Sequence, residues 1–341
     1  MITFRVENQN SAGSGHFYRC LKLAKSIKSR GINANFLLST FISYQIELLE
    51  KLAFEYELIP KQSKSGSQED LDATVKFLNI NTSKAIVLDG YSFSSEYLVK
   101  LRNPKIKVIE FTDTFKKKYS SDLVIYHHPY ERDEIIDSMI LNNKNTKFLF
   151  GREFTLVDKN PYICDSLVKV KNVIVFFGAK DSKNMSEKII SCLKDGFGDI
   201  CFNIMIGASN SKKNTLKQLI KSKKNFNIID FQSNGDFLEG YDLFLGSAGN
   251  TTYEVISINL PSIIISTNPM QLGMINYLTK RKLINYFGSH DTYHEYKFKD
   301  YFNKIVADVP LLRNQQKEMQ KFFDGKGPQR LADNLIEFVE I

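Results

Sequence analysis

The 341-residue sequence has no apolar run near the ~18 residues needed to cross a bilayer. Runs such as 173–177 and 263–265 have instead the length of core strands. Residues 1–7 show no basic stretch leading into a long apolar one, so no secretory signal is expected and the protein reads as cytoplasmic. Cysteine is scarce: Cys20, Cys164, Cys192 and Cys201 form no C-x-x-C pair, which speaks against a disulfide framework or a structural zinc site. Histidine is scarce too. His290 and His294 have i,i+4 spacing but lack the glutamate of H-E-x-x-H and lie in a polar, turn-like stretch. His127 and His128 are adjacent, so on a strand they face opposite ways. No metal is expected at either place. Arginine supplies only nine of the 46 basic residues, although bidentate reading of bases and phosphates favours it. The net charge of +8 divides evenly, +4 in residues 1–150 and +4 in the remainder, with no basic arm. Nucleic acid is therefore not an expected partner. The excess reads as a lysine-rich solvated surface, with weak contact to anionic ligands or a membrane surface as the lesser option.

What is present is an ordinary globular composition, 43% hydrophobic and 25% charged, on a chain long enough for about two domains. Short apolar runs alternate with amphipathic stretches. Strands are expected at 2–6, 35–38, 55–59, 85–88, 107–110, 122–126 and 147–150, with helices at 17–29, 44–52, 69–78 and 94–101. Residues 151–167 lose the periodicity and read as a connection. The alternation then restarts, with strands at 173–177, 202–206, 226–230, 242–245 and 262–266. Helices are expected at 182–193, 212–221, 252–258 and 270–280, then in a helical tail from 298 ending in 330–339. This argues for an α/β protein of two doubly wound, Rossmann-like domains, 1–155 and 168–325, with a C-terminal helix at 326–341 that can pack back across them. Such a pair implies a ligand cleft between the domains, beyond the carboxyl ends of the strands.

Three loops stand at such ends. The first, 7–20, contains Gly13, Gly15 and His16 at a helix start. It is not a dinucleotide fingerprint: Tyr18 stands where G-x-G-x-x-G needs a small residue, and no acidic residue occurs between Glu7 and Glu47. A positive helix start disfavours a protonated imidazole, which suits His16 to act as a general base on water or a hydroxyl; a surface histidine capping a helix is the plainer reading. The second loop, 245–254, runs through Gly246, Ser247, Gly249, Asn250 and Thr251 into a helix, an arrangement that cradles a diphosphate. Glu254 follows near the helix start, placed to accept hydrogen bonds from ribose hydroxyls. The third, 177–182, passes through Gly178 and Asp181 in the same manner.

Phe4-Arg5, Glu7 and Gly13-x-Gly15-His16-x-x-Arg19-Cys20-Leu21-x-Leu23-Ala24 resemble the N-terminal motif of the UDP-2,4-diacetamido-2,4,6-trideoxy-β-L-altropyranose hydrolases of pseudaminic acid biosynthesis. Leu88-Asp89-Gly90-Tyr91, Gly178-Ala179-Lys180-Asp181-x-x-Asn184, the 246–254 loop, Pro261, Gln271 and Asp324-Gly325-x-Gly327-x-x-Arg330 are similar to further motifs of that family, in order. The resemblance covers nearly the whole chain. It implies a GT-B fold, related to the transferase that adds UDP-GlcNAc to lipid I. It further implies that His16, with Glu7 and Asp113, activates water against the anomeric carbon, and that UDP departs with inversion. Helix N-termini rather than a metal or cofactor would steady the diphosphate. Substrate contacts would come from Gly13, Gly15, Arg19, Asp89, Tyr91, Gly178, Asp181, Ser247, Gly249, Asn250, Thr251, Glu254 and Gln271.

The sequence departs from the pattern in places. Glu7-Asn8-Gln9 stands for Asp-Ala-Ser, Gly178-Ala179 for paired glycines, and Thr112-Asp113 for two aspartates. A GT-B glycosyltransferase with a hydroxyl acceptor, and a non-catalytic nucleotide-sugar-binding protein, remain as alternatives, the protein being a monomer or weak homodimer in each. Convergence of His16 with a carboxylate at Glu7 or Asp113 would favour catalysis over mere binding.

Overall fold

In the computed structural model the protein is described over residues 1–8, 15–60, 63–114, 116, 118–129, 134–158, 167–207, 210–231 and 235–340, with the side chains of 134, 135, 235 and 236 excepted. Two compact units result: Met1–Leu156 with Lys326–Ile341, and Val157–Gly325.

The first unit is built on β1 (Ile2–Val6), β2 (Ala34–Leu38), β3 (Glu55–Leu58), β4 (Ala85–Asp89), β5 (Lys107–Phe111), β6 (Leu123–Tyr126) and β7 (Lys147–Phe150). All pairings are parallel, in the order β3-β2-β1-β4-β5-β6-β7. Its helices are α1 (Gly15–Lys28), α2 (Ser43–Lys51), α3 (Gln68–Ile80), α4 (Ser95–Leu101) and α5 (Glu134–Asn142). Parallel strands need covering on both faces, and β1 and β4 are buried at every residue. One face packs Phe4, Val6, Ala85 and Val87 against Phe17, Leu23 and Ile27 of α1. Leu331, Ala332, Leu335 and Val339 of α12 (Gly327–Val339) complete that layer. The other face sets Ile86 and Leu88 against Leu71 and Leu78 of α3 and Leu98 and Leu101 of α4. Arg5 is the polar exception in the middle of β1. It is fully buried because Asp70 takes two of its nitrogens, at 2.9–3.1 Å, and Ser39 and the Val6 carbonyl take another.

The second unit repeats the plan with β8 (Asn172–Phe176), β9 (Cys201–Ile206), β10 (Phe226–Asp230), β11 (Leu243–Gly246), β12 (Ser262–Ser266) and β13 (Asn285–Ser289). These are again all parallel, ordered β10-β9-β8-β11-β12-β13. Around them lie α6 (Met185–Leu193), α7 (Lys213–Ile220), α8 (Asn250–Ser257), α9 (Leu272–Lys280), α10 (Glu295–Ala307) and α11 (Val309–Gln320). In both sheets the strand order reverses between the first and fourth strands, β1/β4 and β8/β11, which is where doubly wound sheets open a ligand crevice.

Three differences from the sequence expectation have local causes. Strand β13 has no alternation to read, since every one of its residues is half-buried at the sheet edge. Helix α8 begins at Asn250, directly after Gly249, so Asn250 and Thr251 form its first turn. His127 and His128 do not face opposite ways: β6 ends at Tyr126, and beyond it the two rings lie 4.6 Å apart at 30°. The two-residue alternation holds only inside a strand.

Candidate active site

In the first unit the carboxyl ends of β1, β4, β5 and β6 gather one polar cluster. His16 sits in the first turn of α1 with its ring buried. Its Nδ1 is 3.9 Å from Asp89 Oδ1 at the end of β4, and its Nε2 is 3.9 Å from Asp113 Oδ2 just past β5. These distances exceed hydrogen bonds but bring two carboxylates to one imidazole. Among the described residues His16 Nδ1 has no hydrogen-bond partner. Gly13, expected to let a ligand approach here, lies outside the described residues; Gly15 opens α1.

Arg19, one helical turn further on, holds this cluster together. Its Nε and Nη2 donate to the two oxygens of Asp89 at 2.5 and 2.6 Å, and Nη1 donates to Asp113 and lies 3.0 Å from His127 Nε2. The guanidinium lies over the Phe111 ring, 5.1 Å from its centroid. Expected as a substrate ligand, Arg19 is instead buried and engaged with its own neighbours. Burial works against its charge, but Asp89 and Asp113 hold its pKa well above the ordinary arginine value. Burial likewise opposes ionisation of Asp113, yet Arg19 and His128 hold its carboxyl well below the usual range. His128 Nε2 stands 3.1 Å from Asp113 Oδ1, and the Tyr91 hydroxyl donates to Oδ2 at 2.8 Å. Burial, followed by His128 and Arg19, pushes His127 well below the ordinary histidine value. A neutral His127 accepts from Arg19 through Nε2, which places its proton on Nδ1. Cys20 donates its thiol hydrogen to Asp89 at 3.4 Å, and burial with Asp89 pushes that thiol up.

Two carboxylates against one guanidinium leave one negative charge, within reach of His16 and His128. Of the residues the sequence expectation names, the structure brings His16, Arg19, Asp89, Tyr91 and Asp113 together. That expectation weighs His127 and His128 only as a metal pair and does not single out Phe111; the signal for all three is an aromatic or histidine at the end of an apolar strand. Asp113, His127 and His128 are also a plausible metal-donor set by proximity, their ligand atoms lying within 4.8 Å of one another. Arg19 already occupies Asp113 and His127, so a cation there would have to displace a buried guanidinium anchored on Asp89.

Glu7, expected beside His16 in catalysis, has its carboxylate elsewhere. Oε2 accepts from the backbone nitrogens of Tyr91 and Ser92 at 2.7 and 3.0 Å, and Oε1 accepts from the Ser92 hydroxyl at 2.7 Å. Tyr91 meets His16 edge-on, ring centroids 4.8 Å apart.

In the second unit the two strand–turn–helix loops differ. After β8, Gly178 has φ +86° and Asp181 is buried. The Asp181 carboxylate accepts from Met185 N and Ser186 N at 2.8 and 2.9 Å, closing the start of α6 with the protein's own anion. Asp181, expected as a substrate ligand, thus has both carboxylate oxygens engaged in capping α6. After β11, Gly249 brings no side chain to the start of α8; its nitrogen donates to Thr252 Oγ1 at 3.1 Å, and Thr252 donates to the Ser247 carbonyl. Gln271 ties this loop to its neighbour, donating to the Ala248 carbonyl and accepting from Thr267 N at 2.8 Å. Asn250, Thr251 and Glu254 stand half-buried in the first turns of α8.

No protein-family model matches the chain. Among curated proteins it is similar to the uncharacterized protein MJ1062 of Methanocaldococcus jannaschii, 23% identical over 289 residues, 79% of this chain. The match spans 56% of that protein's length. Among solved structures it superposes on Acinetobacter baumannii MurG with a TM-score of 0.67 and 14% identity, covering 98% of this chain and 99% of that one. The chain has the GT-B fold. The calicheamicin glycosyltransferase CalG4 gives a TM-score of 0.67 at 13% identity, covering 99% and 98%. The UDP-GlcNAc 2-epimerase of Neisseria meningitidis, solved with UDP-GlcNAc, gives 0.66 at 10%, covering 99% and 100%.

Proposed function

We propose that this GT-B protein moves a glycosyl group from a nucleotide-activated sugar to an oxygen nucleophile, with inversion at the anomeric carbon. The observation that carries the reading is His16 held between Asp89 and Asp113 at the β1/β4 switch point. His16 takes the proton of the attacking hydroxyl as its oxygen bonds to carbon, and the anomeric bond to the diphosphate breaks with its electron pair leaving on the nucleotide. The residual negative charge of the Asp89–Arg19–Asp113 assembly faces the imidazolium so formed. In the second unit the start of α8, open because Gly249 supplies no capping side chain, takes the diphosphate, and Glu254 takes the ribose hydroxyls. The solved neighbours, a calicheamicin glycosyltransferase and a UDP-GlcNAc 2-epimerase bound to UDP-GlcNAc, support glycosyl transfer and a nucleotide-sugar donor respectively.

Water as the nucleophile is the second reading, that of a UDP-sugar hydrolase of the pseudaminic acid type. What favours it is that the motif residues carrying that resemblance, His16, Arg19, Cys20, Asp89 and Tyr91, meet in one cluster.

Incubation with UDP-GlcNAc and with UDP-2,4-diacetamido-2,4,6-trideoxy-β-L-altropyranose, followed by 31P and 1H NMR, separates the two. UDP released only on adding a saccharide or peptidyl hydroxyl acceptor supports transfer. Equal UDP and free sugar without acceptor supports hydrolysis, and the first anomer seen reports inversion. No UDP from either donor under both conditions, with UDP still bound, leaves a nucleotide-sugar-binding protein.

A further inference from the structure

Tyr91 projects from the turn after β4 with its ring largely exposed, yet both ends of the side chain are fixed. The ring edge rests on His16 and the hydroxyl donates to Asp113. Beyond these two contacts an exposed tyrosine on a surface turn has little packing to hold it, so the backbone beneath must do so. That backbone is clasped from two sides. From the residue after β1, the two oxygens of Glu7 accept three donors of residues 91 and 92, a buried carboxylate satisfied entirely by one turn. Gly90 permits it: a Cβ there would stand 2.4 Å from Glu7 Cβ and 2.6 Å from Oε2. From the loop before α3, Gly66 lies against the Ser92 carbonyl, where a Cβ would come within 2.1 Å, and its φ of +80° is in the left-handed region that suits glycine.

We infer that Glu7 is the positioning residue of the site: by clasping the 91–92 turn it sets Tyr91 against His16 and Asp113, and so fixes the imidazole that faces the nucleophile. Its effect on turnover rests on the function proposed above; its effect on Tyr91 does not.

The experiment is nitration of the protein with tetranitromethane, read per tyrosine by peptide mass spectrometry. Burial and Asp113 push the Tyr91 phenol up, and the reagent attacks phenolate, so Tyr91 reacts slowly in the parent despite its exposure. In Glu7→Gln one acceptor oxygen is replaced by an N–H donor facing donors, and Tyr91 nitration rises roughly tenfold or more, the weight of one lost hydrogen bond to a charged group. Tyr296, exposed on the second unit, stays constant. Should Glu7→Gln fail to fold, Ser92→Ala removes one of the three donors and gives the same direction with a smaller rise. Unchanged Tyr91 nitration in a folded variant overturns the inference, as does a rise shared with Tyr296. With an active donor in hand, Glu7→Gln lowers kcat with KM nearly unchanged; a kcat equal to the parent's with Tyr91 released would show that the clasp is real and the catalytic reading wrong.

Discussion

Arg19 decides what the neighbouring residues do. A guanidinium bonded to two carboxylates and an imidazole helps keep Asp113 ionised, and burial, with His128 and Arg19, keeps His127 neutral; in the proposed reaction it is His16 that exchanges a proton with substrate. His16→Ala should lower turnover at least ~10²-fold, the usual contribution of a positioned base, while UDP affinity by calorimetry stays as in the parent; full turnover in that variant would end the mechanism. His127 carries a stability prediction. Its folded pKa lies below the reference value of 6.5, so in acid the unfolded chain binds the proton first. Its contribution is complete above the unfolded pKa and falls, by up to about 1.4 kcal/mol per pH unit, as pH drops toward the folded value. His127→Gln keeps an acceptor for Arg19 without a titrating ring. Urea unfolding of the two proteins between pH 7 and 5 should show the flatter decline in the variant, and parallel slopes would refute the assignment.

At the scale of elements, two turns that look alike in sequence have opposite chemistry. Both run from a buried strand through glycine into a helix. Asp181 closes the start of α6, whereas among the described residues Gly249 makes no side-chain cap at the start of α8. Asp181→Ala should therefore cost about 1–2 kcal/mol in unfolding free energy and leave UDP binding intact. Glu254→Ala should do the reverse, weakening UDP binding with little change in stability; calorimetry and denaturation on the same two variants test both. The glycines and the carboxylates were legible as a pattern. Which carboxylate bends back onto its own helix was not, because that depends on the left-handed turn at Asp181 and Asn184, residues whose type does not demand it. The histidine pair failed for a related reason: β6 stops at Tyr126, so the alternation of a strand does not extend to residues 127 and 128.

At the scale of the molecule, α12 belongs with the first unit although more than 160 residues of the second precede it. Its Leu335 is fully buried in the layer formed by α1 and β1. Leu335→Ala should destabilise the first unit by about 2–5 kcal/mol. Hydrogen exchange should then rise in β1, β2 and α1 and stay unchanged in β8–β13; equal loss in both units would contradict the division. By itself the sequence determined the two alternating α/β halves, the parallel sheets and the strand-end loops, because hydrophobic period and glycine placement are local properties read directly from residue order. Tertiary structure alone decided which polar groups meet. Asp89, Asp113 and His127 reach Arg19 from 70 to 108 residues away because β4, β5 and β6 end side by side in one parallel sheet. A charge buried there takes whichever partner its strand neighbours supply.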